Sequence, residues 1–502
     1  MFRSWMLPML RTAWILGAVW CTGTPAWASP WAEVGDRVLR SDVEVLADYG
    51  LIAPLLMTWP IPWAQISYQL PIDNDVNLPP HIRRSLERVR ARLAEETAIR
   101  RIKPGVINRV TNQPALVRDF ATTGREEIDT RAEVEYMGTW AAARLSIGYQ
   151  GEPQFDGGEI SLDGSYLALE VENWLLYGGV VDQWWGPGWV SSLILSNNAR
   201  PFPRVGFMRN NPKAFETPWL SWIGPWQFHA FAGVLDDDGR AVSNPLLFGG
   251  RLAINPIEGL ELAGTGTLMI CGVDQPCNFD VFKDAFFRSE DQEGSDTNSN
   301  ALAAWDFRYT SSLLKSPFTL YGQMIQEDFA SLENGFFGHV SYLLGLSLWG
   351  GAGDDGALWR LTSEFSQTRA INNHETLGKN LTYNHGVYRS GYRYDERSLG
   401  HSLDNDTALF SLVGTLTDLH DWTYRLAYHH AEINRDGTVN GGRVGRPLST
   451  SNEDINVLEA GLNLPWRNGA FDVELRIQDD QPDSPGEKDF EFAVELGWTI
   501  RF

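Results

Sequence analysis

The sequence predicts an all-β transmembrane barrel, and three observations predict it. Residues 489–502 alternate without a break: Phe490, Phe492, Val494, Leu496, Trp498, Ile500 and Phe502 against Asp489, Glu491, Ala493, Glu495, Gly497, Thr499 and Arg501. A strand points successive side chains to opposite faces, so this stretch has one face for hydrocarbon and one for water. It ends on an aromatic residue, as the closing strand of a bacterial outer-membrane barrel does. Second, the chain of 502 residues carries 21 Trp, 48 Gly and 12% aromatics, yet only 43% hydrophobic residues. No apolar run after the N-terminus reaches the ~20 residues of a spanning helix. Third, from about Arg125 onward the period is two, in segments of roughly 10 residues, the length that crosses a bilayer when tilted.

Residues 1–28 read as a signal peptide. Arg3 and Arg11 supply positive charge, residues 12–21 are a short apolar core, and Ala26-Trp27-Ala28 fits the cleavage pattern. Trp20 argues against a lipoprotein signal at Cys21. Export puts Cys271 and Cys277 in an oxidising compartment, where a small loop disulfide is expected of them.

Residues 29–120 read as a small helical domain of two or three helices. Ser41-Asp42 is expected to cap a helix running through Val43, Val45, Leu46 and Tyr49 to a stop at Gly50. After a proline-rich passage, a second helix is expected over residues 81–100, started by Pro79 and Pro80. Ile82, Leu86, Val89 and Leu93 form its apolar face, with Arg83, Arg84, Arg88, Arg90 and Arg92 opposite. That basic face suits acidic lumen residues or plain solvation.

Residues 121–502 read as the barrel. Strands are clearest around 301–310, 318–324, 359–366, 422–428 and 471–478. Short turns at 223–225, 255–259, 311–316, 350–356, 417–421 and 465–469 separate long connections at 235–245, 271–300, 370–403, 435–454 and 481–488. Phe329 to Gly335 is the one short external connection. Short periplasmic turns and long external loops characterise this class. Trp226, Trp349, Trp422, Trp466 and Trp498 lie beside the short turns or the C-terminus, as an aromatic girdle would. The count gives 12 strands from Trp226 on, with room between 125 and 224 for about six more, about 18 antiparallel strands in all. The net charge of −23 excludes a nucleic-acid binder, which needs a basic footprint.

The most specific words are Asp182-Gln183-Trp184-Trp185-Gly186-Pro187-Gly188-Trp189 and the run from Ser192 through Asn197-Asn198-Ala199-Arg200 to Pro203. They resemble the Wzi-type capsule assembly family. Residues 43–63, 383–394, 399–406 and the terminal strand are also similar to it. The resemblance implies an outer-membrane, lectin-like barrel of 18 strands, with residues 29–120 as a helical plug or bundle at its periplasmic mouth, that attaches or assembles capsular polysaccharide and is not an enzyme. The implied partners are capsular or extracellular polysaccharide, outer-membrane lipid and other capsule-export components.

A polysaccharide binder needs aromatic faces for sugar rings and planar cations for hydroxyls and uronates. The external loop 370–403 offers His374, Asn384, His385, Tyr388, Arg389, Tyr392, Arg393, Tyr394 and Arg397; the next adds Arg435, Arg443 and Arg446. Such residues either touch sugar or brace the barrel mouth, and as a cluster they point to glycan. The tryptophans of Trp184–Trp189 are assigned a structural duty. Asp404-Asn405-Asp406 and Asp236-Asp237-Asp238 lack calcium-loop spacing and read as solvated loop acids. No metal or cofactor is expected. There is no Gly-x-Ser-x-Gly elbow, and His429-His430 point to opposite faces of a strand. The alternatives are a porin-like channel and a barrel enzyme acting on glycan or lipid.

Overall fold

The C-terminal alternation is one side of a seam. The strand Glu491–Arg501 pairs with Gly469–Gln478 on one edge and with Arg101–Thr111 on the other, closing the sheet on itself. The computed structural model describes residues 30–71, 77–99, 101–151, 158–236, 239–287, 299–311, 317–327, 340–371, 381–435, 448–466, 469–482 and 488–501. The expected signal peptide lies outside them.

Among the described residues the barrel is antiparallel throughout, with 18 strands. Twelve start at or after Trp226, from Trp226–Val234 to Glu491–Arg501. The six before it are Arg101–Thr111, Ile128–Met137, Ala141–Gly151, the interrupted strand Ile160–Ser161 with Tyr166–Val171, Trp174–Gly179 and Arg204–Arg209. The barrel therefore begins at Arg101, inside the stretch assigned to the helical bundle, and not after residue 120. Its first strand hides its period because Lys103 and Arg109 are long cations on inward positions. They make sense only beside their partners, Glu96 at 3.1 Å and Glu495 at 3.9 Å.

Inward and outward positions separate cleanly. Val134, Leu145, Leu426 and Leu496 stand on the outer surface, while Glu133 and Glu135 beside Val134, Arg144 beside Leu145, Arg425 beside Leu426 and Glu495 beside Leu496 are buried inside. Charge is tolerated in a filled lumen and costly on a lipid face. Trp140, Trp219, Trp222, Trp422 and Trp466 are exposed and lie toward the short-turn end. Trp349 is a correction to the expected girdle. It sits on an inward position, 1% exposed, and its Nε1 donates to Asp48 at 3.0 Å. Trp226 is covered by Phe215, stacked at 4.7 Å.

The bundle plugs the short-turn end and reaches into the lumen. It comprises α1 (Arg37–Asp48), α2 (Trp63–Ser67) and α3 (Pro80–Glu96). Asp36 caps α1 by accepting from the Leu39 amide at 2.9 Å. The helix thus starts ahead of Ser41-Asp42, which sit inside it and serve other ends. Ser41 Oγ accepts from Arg360, and Asp42 binds Arg88 through both oxygens at 2.6 and 2.7 Å. Val43, Leu46, Ile82, Leu86 and Val89 form one apolar core with Trp59, Trp349 and Leu358. The basic face of α3 meets α1 and the rim rather than the lumen wall. Arg88 also reaches Asp421 at 3.0 Å, and Arg84 donates to the Leu419 carbonyl. Although burial opposes it, Arg501, Arg92 and Lys103 hold the Glu96 carboxyl down to about 2.

Glu44 is the knot of the plug. Its carboxylate accepts from Arg40 at 3.0 Å, Arg360 at 3.2 Å and the Trp189 indole at 3.2 Å, with Arg308 at 3.7 Å. Burial opposes its charge, but Arg40, Arg360 and Arg308 together hold the carboxyl below its ordinary range. Glu44→Ala strands these cations and is expected to cost about 3–5 kcal/mol. The expected result is trypsin cleavage within residues 30–99 of the folded protein, while the barrel keeps its heat-modifiable mobility on a gel.

Candidate functional site

The lumen is filled from both ends. From the long-loop end, residues 112–127 and 180–203 dip inward to meet the plug. Phe120 packs between Trp59 at 5.1 Å and Trp184 at 5.5 Å. Thr58–Trp59 forms a two-residue ladder with Trp184–Trp185, and both Trp184 and Trp185 are fully buried. Wall residues hold the inward segment by its backbone. Glu364 accepts from the amides of Trp189, Val190 and Ser191, and Gln323 accepts from Leu193 while donating to the Trp185 carbonyl. The Trp184–Trp189 motif is thus a buried splice between plug and loops.

The segment 381–407 closes over that splice. The Tyr383 hydroxyl donates to the Leu193 carbonyl and accepts from the His401 amide, and Asn198 donates to the Ser398 carbonyl at 2.9 Å. A hairpin of Arg393–Tyr394 with Arg397–Ser398 turns through Asp395 and Glu396, at φ 44° and 60°. Two central residues with positive φ make this the type I′ turn that suits strand twist.

The structure divides the candidate site residues into two groups. Asn384, Tyr388, Tyr392 and Arg393 are buried. Arg393 grips Asp404 with two bonds of 2.6 and 2.7 Å and donates to Asn384 at 2.9 Å; Tyr388 donates to the Cys271 carbonyl at 3.0 Å. These residues brace. Arg389 is exposed, and His385, Tyr394, Arg397 and Arg435 are half-buried. His385 lies 5.7 Å from the Tyr388 ring, and Arg397 donates to the Arg125 carbonyl at 2.9 Å. Arg435 donates to Gln367 at 3.2 Å and pairs with Glu432. His374, Arg443 and Arg446 lie outside the described residues. Asp404, Asn405 and Asp406 are buried rather than solvated; Asp404 is the counter-charge of Arg393. A disulfide joins Cys271 to Cys277.

Sequence reasoning missed an ionic cluster beside the hairpin. Arg200 binds Asp163 at 3.1 Å and lies 3.6 Å from Asp395, and Arg240 binds Asp236 at 3.1 Å. Arg200, Asp163 and Asp395 come from separate connections, so spacing carries no sign of their meeting. Burial raises the Asp395 carboxyl to about 6, with Arg200 opposing and Asp236 and Asp163 adding to the rise.

One Ser–His contact resembles a catalytic pair and is not arranged as one. His401 Nε2 lies 2.7 Å from Ser366 Oγ and 3.2 Å from Ser191 Oγ, but its Nδ1 accepts from the Leu403 amide at 3.1 Å. The Nε2 atom therefore carries the proton and has no lone pair for a serine. Burial pushes this imidazole down to about 3, so it stays neutral.

Residues 100–487 match the family of the capsule assembly protein Wzi. The chain belongs to the Wzi family. A curated relative, an uncharacterized 55.8 kDa protein in the cps region of Klebsiella pneumoniae, is 30% identical over 367 residues, 72% of this chain and 70% of that protein. The fold is similar to that of Wzi of Escherichia coli, described as an outer membrane protein involved in group 1 capsule assembly and a carbohydrate-binding β-barrel. Its TM-score is 0.79 at 24% identity, covering 94% of this chain and 99% of that one. Family and apolar outer belt place the barrel in the bacterial outer membrane, with the short turns periplasmic and the long loops outside.

Two predictions follow from the braced mouth. Arg393→Ala leaves Asp404 buried without its partner, a loss of about 3–5 kcal/mol; limited proteolysis is expected to cut within 381–407 while the barrel persists. For Asp395, the folded loop keeps its proton up to about pH 6, whereas the unfolded chain releases it near about pH 4. The folded loop then binds more protons in that window and loses stability as pH rises through it. Asp395→Asn is expected to slow cleavage of the loop at pH 8 and to change little at pH 4.

Proposed function

We propose that this protein binds capsular or related extracellular polysaccharide on the outer face of the 381–407 segment and holds it at the cell surface. The observation that carries this reading is the division of labour in that segment. Buried Arg393, Tyr388 and Tyr392 fix its shape, His385 accepts from the Val387 and Tyr388 amides, and Arg389 is exposed. A prebuilt surface binds a flexible chain without spending ordering entropy of its own. Tyr394, Arg397 and Arg435 add half-buried surface that suits sugar rings and acidic groups. The family to which the chain belongs supports the same ligand class.

The protein acts by binding and performs no turnover. The Ser–His contact has the wrong tautomer for a nucleophile, and the plug, knotted to the wall at Glu44, fills the lumen that a channel would need open. Outer-membrane lipid and other export components complete the proposed partners.

The test is binding of purified protein to fractionated capsular polysaccharide. Arg389→Ala is expected to weaken it about tenfold, the loss of one charge-assisted contact, with protease resistance of the loop unchanged. Unaltered binding by Arg389→Ala together with His385→Ala overturns the site. A large, stable conductance of the intact protein in a planar bilayer overturns binding as the main function.

A further inference from the structure

The described part of the connection after Leu260–Ile270 turns away from the mouth. At Cys271 the chain turns with φ 63°, and the disulfide to Cys277 closes a loop of sequence separation 6. Asn278 then caps a helix, Phe279–Phe287, by accepting from the Val281 amide at 3.0 Å. The helix does not cover the mouth. Phe282 meets the Phe248 ring edge-on, centroids 5.3 Å apart. Val281 and Phe282 pack in one cluster with Leu246, Phe248, Leu268 and Ile270.

Those four barrel residues all stand on outward positions. In strand Leu246–Ile257 the inward residues are Leu247, Gly249, Arg251 and Ala253, and Leu246 and Phe248 alternate with them. Register pairs Leu246 with Ile270 and Phe248 with Leu268, which carries the outward face across to the next strand. The helix therefore lies on the outside wall at the long-loop rim. Cys271 marks the divide, because its carbonyl is held from the other side by Tyr388.

The helix presents an apolar residue where water would be the wrong solvent. Phe279 is 78% exposed, and Asp280 and Lys283 are exposed beside it. Down the same wall the outward residues continue as Leu252 and Leu262, both exposed, into the apolar belt of the barrel. We propose that Phe279–Phe287 is an interfacial anchor: it lies along the outer leaflet at the boundary of headgroups and acyl chains, with Phe279 inserted among the lipids. Continuity with the belt names the occupant, since a surface that extends a lipid-facing wall meets the same lipid. A short helix with an apolar side and charged flanks is suited to that boundary. The disulfide keeps the helix start at the rim, so the anchor cannot swing over the mouth. This holds whichever ligand the mouth takes.

The test is collision accessibility of a spin label in phospholipid vesicles. Labels are placed by Phe279→Cys, Lys283→Cys and, at the opposite end, Asp354→Cys, with the native disulfide oxidised and folding checked by heat-modifiable mobility. At position 279 the ratio of oxygen to water-soluble nickel-chelate collisions is expected to exceed that at 354 several-fold, with 283 between them. A ratio at 279 equal to that at 354 means a solvated loop and overturns the proposal. Shielding of 279 from both reagents, with spin–spin broadening that fades on dilution with lipid, means a second copy covers it, and also overturns it.

Discussion

A single carboxylate, Glu44, joins the three parts of this molecule. It belongs to the plug, it meets the wall at Arg360 and Arg308, and it accepts from Trp189 of the segment that dips in from the far mouth. Arg40, one turn earlier, repeats the linkage. It binds Glu44, donates to the Pro187 carbonyl and lies 4.4 Å from the rings of both Phe120 and Trp189. A charge buried without partners costs several kcal/mol, so removing any one part penalises the other two. Plug, wall and inner loop are thereby made interdependent.

That interdependence explains how an outer surface is held still on a wide barrel. The wall grips the inward segment through Glu364 and Gln323, the inward segment carries the 381–407 loop through Leu193 and Asn198, and the loop stiffens itself through Arg393 and Asp404. The rigidity of the outward surface is built from the lumen upward. A cavity of about 500 Å³ remains between α1, α3 and the wall near Arg131, Glu133 and Arg425.

Much of this was legible in the sequence because a barrel wall is a local pattern. Strands such as Ala357–Ile371 alternate residue by residue, and turn length needs only counting. The loop residues were less legible, because Arg389 and Arg393 are four apart and chemically identical. One is exposed, and the other is a buried brace only because Asp404, eleven residues away, folds back onto it. Short strands also hid themselves. Trp174–Gly179 and Arg204–Arg209 have six residues each, too few for a period to stand out.

The sequence by itself determined the barrel, its direction, the helical bundle and the family. These rest on alternation, on helical spacing and on words of contiguous residues, all of which survive without knowledge of the fold. Tertiary structure alone decided where the barrel starts, because Lys103 and Arg109 are strand residues only in the presence of Glu96 and Glu495. It also decided which tryptophan faces lipid, since Trp349 and Trp422 are alike in sequence and opposite in exposure. Above all it decided which cations reach outward, for a guanidinium serves as a brace or as a contact according to the carboxylates that folding brings to it.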